Sequence, residues 1–76
     1  MTDIKLLQQL IDDSGMKKTA IAQKSDIDRT TLYNRMNGKG EFTASEIVGL
    51  TKTLKLSRDL RDRIFFAEEV DLKATM

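Results

Sequence analysis

The segment Lys17–Gly40, KKTAIAQKSDIDRTTLYNRMNGKG, admits few folds. Ile21 and Ala22 form the apolar part of one short stretch, and Leu32 and Met36 stand four apart in a second. Residues four apart share a helix face. Only Ser25-Asp26-Ile27-Asp28 separates the two stretches. The pattern predicts a helix over about Lys18–Lys24, a tight corner plugged by Ile27, and a second helix ending near Met36. Asp28 is a good N-cap for that second helix, its carboxylate accepting from the N–H of Thr30 or Thr31. Asp26 falls where the corner calls for φ > 0, a conformation that Asp adopts less readily than Gly. Asn37-Gly38-Lys39-Gly40 closes the segment with two flexible joints. With Leu32 and Met36 inward, Arg29, Thr30, Tyr33, Asn34 and Asn37 are left facing outward.

The rest of the chain reads as a scaffold for this pair. At 76 residues a single domain buries only about 60–65% of the surface its unfolded chain exposes. There is no cysteine and no histidine, so neither a disulfide nor the usual zinc ligands can staple it, and the commonest general base is missing. Stability has to come from apolar packing and helix caps, with or without a partner chain. No proline interrupts the sequence, and its four glycines mark the expected breaks. The expectation is an all-α domain of five short helices over residues 1–69, followed by a tail over 70–76 that is either flexible or part of a dimer interface.

The first helix spans about Asp3–Ser14, with Ile4, Leu7 and Leu10/Ile11 at helical spacing, Thr2 as cap and Gly15 as its left-handed end. Thr43-Ala44-Ser45-Glu46 is a capping box that opens the fourth helix, with Phe42 and Ile47 as the hydrophobic staple. Ile47, Leu50 and Leu54 form its core stripe and Val48 flanks it. Ser57 caps a fifth helix over about Arg58–Glu68, whose inner face is Leu60, Ile64 and Ala67. Phe65 and Phe66 are adjacent and cannot both point inward.

The net charge of +1 is uninformative until it is mapped. Residues 16–40 hold six cations (Lys17, Lys18, Lys24, Arg29, Arg35, Lys39) against Asp26 and Asp28, a local +4, and the remainder carries −3. A basic segment on an acidic body is a footprint for a polyanion. Lys17 and Lys18 sit at a helix start, where the dipole is already positive. They are either two solvated lysines or a phosphate site, and the corner and polar-faced helix next in the chain favour the phosphate site. No apolar run approaches the roughly 20 residues of a membrane span, and no signal peptide opens the chain. A cytoplasmic protein is expected.

Five helices with these landmarks resemble the lambda-repressor-like helix-turn-helix family of Cro/CI (XRE) type, over about Ile4–Leu60. The residues that carry the resemblance are Ala22 inside the second helix, Ile27 in the corner, Leu32 inside the third and the Asn37-Gly38-Lys39 ending. Leu54-Lys55-Leu56-Ser57 resembles the family's joint between its last two helices. There are departures. The usual corner Gly is Asp26, and the Glu common before Asn-Gly is Met36, for which an apolar contact with Ile11 would replace an ion pair. Arg35 stands where the family more often has an apolar residue.

The resemblance implies a sequence-specific regulator, most like a small phage Cro or a repressor's DNA-binding part, that lays its third helix in the major groove of operator DNA. By position, Arg29, Thr30 and Asn34 face base edges. Arg can fork onto guanine O6/N7, Asn onto adenine N6/N7, and a Thr methyl can meet a thymine methyl. Tyr33 packs on the sugar-phosphate wall or reaches a base. Lys18, Asn37 and Lys39 are the expected phosphate contacts, with Lys17 and Thr43 as weaker candidates. One helix reads about 4–6 base pairs, so a homodimer on paired half-sites is expected. Phe65, Phe66, Val70 and Leu72 are either its interface or the closure of the monomer's own core.

Catalysis is the weakest reading, because the adjacent pairs Asp12-Asp13 and Glu68-Glu69 point different ways and do not converge on a site. No metal or small-molecule cofactor is expected. The main alternative is a protein-binding module on the same fold, such as an antitoxin or anti-repressor. The cations at Lys17, Lys18, Arg29, Arg35 and Lys39 argue against a pure protein binder.

Overall fold

The computed structural model describes residues 2–67. It is all-α: α1 (Ile4–Ser14), α2 (Lys18–Lys24), α3 (Arg29–Met36), α4 (Ala44–Thr53) and α5 (Arg58–Phe65), with no strand among the described residues. Each start except that of α2 is fixed by a side-chain cap. Asp3, rather than Thr2, caps α1 by accepting from the Leu6 N–H at 3.1 Å. That choice also lets the Asp3 N–H donate to the Ile64 carbonyl at 2.6 Å, which ties the chain's first turn to α5. Asp28 accepts from the Thr30 N–H and Ser57 from the Leu60 N–H. The capping box at α4 is complete, since Thr43 Oγ1 accepts from Glu46 N and Glu46 Oε1 accepts from Thr43 N.

Three helices end in the same hydrogen-bond pattern. At α2 the Ile27 N–H reaches the Ala22 carbonyl and the Asp26 N–H reaches Gln23. At α3 the Lys39 N–H reaches Asn34 and the Gly38 N–H reaches Arg35; at α4 the Leu56 N–H reaches Thr51 and the Lys55 N–H reaches Lys52. These are Schellman ends, which need a left-handed residue in the middle. Gly38 supplies it at φ 77°, but the other two positions are filled by Asp26 (φ 58°) and Lys55 (φ 54°). The corner between α2 and α3 therefore keeps a glycine-type geometry without a glycine.

Left-handed backbone costs an ordinary L-residue roughly 1–2 kcal/mol, less for Asp, whose short side chain bonds locally. Glycine would remove that strain while losing some entropy from the unfolded chain. Lys55→Gly is therefore expected to raise the unfolding free energy by up to about 1 kcal/mol, and Asp26→Gly by less. Urea melts of the two variants test both the sign and the order.

One apolar cluster joins all five helices. Leu7 and Ile11 come from α1, Ile21 and Ala22 from α2, Leu32 and Met36 from α3, Leu50 from α4, and Ile64 and Phe65 from α5, with Ile27 and Phe42 from the connections. Ile11 and Met36 are both buried in it. Ala22 and Ile27, near and within the corner, are both buried.

The structure corrects two expectations in the second half of the chain. The helix over Arg58–Glu68 stops at Phe65, where Phe66 leaves helical geometry (φ −127°, ψ 42°). Phe65 then turns into the core and packs edge-on against Phe42, ring centroids 5.4 Å apart, leaving 4% of it exposed. Phe65 is thus not available as a dimer contact. Phe66 is the one that lies at the surface, 38% exposed. Val70 and Leu72 lie outside the described residues.

The second correction concerns Gly49, which breaks nothing. It lies inside α4, with φ in the ordinary helical range, and a Cβ added there would fall well within van der Waals contact of the Ser25 carbonyl. One turn further on, Thr53 Oγ1 bonds the buried Ser25 hydroxyl at 2.8 Å. Residues 49 and 53 share a face, so α4 grips the end of α2 at the corner itself. This clamp fixes the end of α2 against α4.

Candidate nucleic-acid interface

Helix α3 has two dissimilar sides. Leu32 and Met36 are buried. Arg29 and Thr30 are exposed, Tyr33 is 63% exposed, and Asn34 lies half-buried at the edge of the same face. Arg29 and Tyr33 are four apart, as are Thr30 and Asn34, so the four make two adjacent rows along one side. Among the described residues, the side chains of Arg29, Thr30 and Asn34 form no hydrogen bond within the chain, whereas Asp28 holds the first turn in place. A rigid element thus presents an arginine fork, an amide and a hydroxyl with their polar atoms unspent.

Around this face the expected phosphate contacts divide. Lys17, Lys18 and Lys39 are exposed, and Lys17 is the N-cap position of α2 with no side-chain cap bond. Lys39 is held by its backbone, its N–H donating to the Asn34 carbonyl at 2.8 Å, and its side chain is left outward. Asn37 and Thr43 are already employed. The Asn37 amide donates to the Tyr33 carbonyl at 2.9 Å and closes the end of α3. The Thr43 N–H and hydroxyl both serve the capping box. Each keeps only part of its hydrogen-bonding capacity for a ligand.

Arg35 is the residue whose place the sequence did not reveal. It crosses from α3 to the start of α4, where Nε meets Glu46 Oε1 at 3.2 Å, and the two side chains are only 23% and 15% exposed. The same Oε1 accepts from the Thr43 N–H at 2.9 Å. Gly40 (φ 98°) passes against the guanidinium so closely that a Cβ there would collide with it. Arg35 must therefore be removed from the set of free cations facing a polyanion. The available signal was a Glu at the third position of a capping box, which already has one hydrogen bond and can take an arginine as its second.

Burial pushes the Glu46 carboxyl upward, but the Thr43 N–H, the Arg35 guanidinium and the Thr43 hydroxyl together outweigh it and hold the group below the usual carboxylate range. Because the folded value is the lower one, the stability this group contributes is fully present above the unfolded pKa, about 4.3. It is lost as pH falls through the folded value. Urea midpoints measured from pH 6 down to pH 3 should fall, and Glu46→Gln should flatten that acid limb.

No family model matches this chain, and no curated protein or solved structure matches it either. The geometry therefore has to stand alone. Among the described residues no helix is long and apolar enough to cross a membrane, and no group of His, Cys, Asp or Glu is placed to hold a metal ion.

Proposed function

We propose that this chain is a sequence-specific regulator that binds double-stranded operator DNA by laying α3 into the major groove, in the manner of a Cro/CI-type helix-turn-helix repressor. The observation that carries the reading is the α3 face itself. Arg29, Thr30 and Asn34 keep their polar atoms free on a helix whose two ends are fixed, by the Asp28 cap and by the backbone bonds to the Asn34 and Arg35 carbonyls. A merely solvated face has no need of such bracing. The donor and acceptor patterns of Arg and Asn match guanine and adenine edges. The exposed Lys17, Lys18 and Lys39 supply the sequence-independent attraction that positions such a helix.

One α3 reads too few base pairs to single out an operator, so two copies act together on half-sites about one helical turn apart. An apolar groove of about 580 Å³ runs between α4 and the end of α5, lined by Phe42, Ile47, Val48, Thr51, Arg61 and Phe66. Val48 is 52% exposed there. We infer that a second copy of the chain covers this groove, because the one dimer-contact candidate left at the surface among the described residues, Phe66, lines it beside the exposed Val48.

The deciding experiment is selection of bound duplexes from a random library. A pseudo-palindrome with half-sites about 34 Å apart is the expected product; recovery of random sequence at all salt concentrations would end this reading. Lys39→Ala should weaken binding to every sequence alike and lower the slope of log K against log salt by about one.

A further inference from the structure

We propose that Arg35 and Glu46 are positioning residues for the phosphate contact made by Lys39, although neither touches the DNA; the inference rests on the DNA-binding reading above. The connection between α3 and α4 is anchored in the core by Phe42, but its first part contains Gly38 and Gly40, both at positive φ. A glycine-rich stretch of this kind loses much backbone freedom when it is ordered. Its α3 end is closed by the two Schellman bonds, to Asn34 and Arg35. Its α4 end is closed by the capping box. The Arg35–Glu46 pair is the tie that joins these two ends directly, and its guanidinium packs on Gly40 in the middle.

Lys39 therefore sits on a short span pinned at three places. Its backbone N–H is spent on Asn34, so the side chain starts from a fixed point beside the outward face of α3. An arginine at this position would ordinarily be a phosphate ligand in its own right. Here its charge is neutralised by a carboxylate and its planar group is turned to structural use. A mostly buried, doubly bonded Glu46 oxygen is what distinguishes this pair from a surface ion pair of small effect.

The test uses Glu46→Gln in the full chain at neutral pH. Glutamine keeps the capping box, since a Gln at this position also accepts from the cap residue, so only the charge of the pair is lost. Arg35→Met, which leaves Glu46 in the capping box, removes the tie altogether and is expected to speed exchange at Gly38 and Lys39 at least as much. Circular dichroism should report the native helix content. Amide exchange at Gly38 and Lys39 is expected to speed up about tenfold or more relative to the α1 core, and affinity for all duplexes to drop several-fold with a salt slope shallower by about one. Combined with Lys39→Ala, the change should add little further loss, because both remove the same contact.

Unchanged exchange at Gly38 and Lys39 overturns the proposal. So does tighter binding with a steeper salt slope, which would mean that Arg35 is a phosphate ligand held in reserve. Full additivity with Lys39→Ala overturns it as well. If the wild-type chain binds no duplex, the DNA reading and the phosphate role fall together, and the exchange rates alone judge the brace.

Discussion

Gly49→Ala is expected to destabilise the domain by roughly 1–3 kcal/mol, the usual cost of forcing extra volume into a packed contact. The sign is the informative part. Alanine is the better helix former by about 1 kcal/mol, so at an unconstrained site inside α4 the change would stabilise. Here the new methyl group meets the Ser25 backbone, which is not the movable end of a side chain. Either α4 moves away from the corner or the corner opens, and in both cases the buried bond between Ser25 and Thr53 is strained. For a domain of this size each kcal/mol corresponds to about 4–8 °C in Tm. Thr53→Ala is the control, since it removes the hydroxyl partner without adding bulk and should cost about 1 kcal/mol. A Gly49→Ala variant that melts higher than the wild type would show that α4 does not press on the Ser25 backbone.

Arg29→Ala and Asn34→Ala should each lose about 1–3 kcal/mol of binding to the selected site, roughly 5- to 150-fold in Kd, and relax the base preference at one position each. Neither should alter the melting temperature appreciably, because neither side chain bonds to the rest of the chain among the described residues. The contrast with Lys39→Ala separates reading from attraction. Loss confined to the cognate duplex identifies a base contact, and equal loss on random duplex identifies a phosphate contact. If Arg29→Ala and Asn34→Ala reduced binding to random and cognate DNA by the same factor, α3 would not be the reading element.

The parts of this fold that are local were legible in the sequence. Asp28, Thr43 with Glu46, and Ser57 act within three residues of themselves, so their caps follow from spacing alone. The buried pair Leu32 and Met36 follows from helical periodicity, and it fixes by subtraction which side of α3 faces outward. What was hidden depends on partners distant in sequence. Ser25 meets Thr53 across 28 residues and Arg35 meets Glu46 across 11. Neither spacing carries a periodic signal. Gly49 looks like a helix break until a backbone is known to pass beside it. The choice between Phe65 and Phe66 turned on where α5 stops, which is decided by the Phe42 ring waiting on α4's approach.

The outward side of α3 takes no part in holding the molecule together. Leu32 and Met36 anchor the helix, Asp28 and Gly38 delimit it, and Arg35 ties it to the start of α4 through Glu46. Positions 29, 30, 33 and 34 can therefore be varied together among good helix formers at little thermodynamic penalty. On the proposed reading, a library built on those four residues would retain the scaffold's melting behaviour while its members diverge in the duplexes they select.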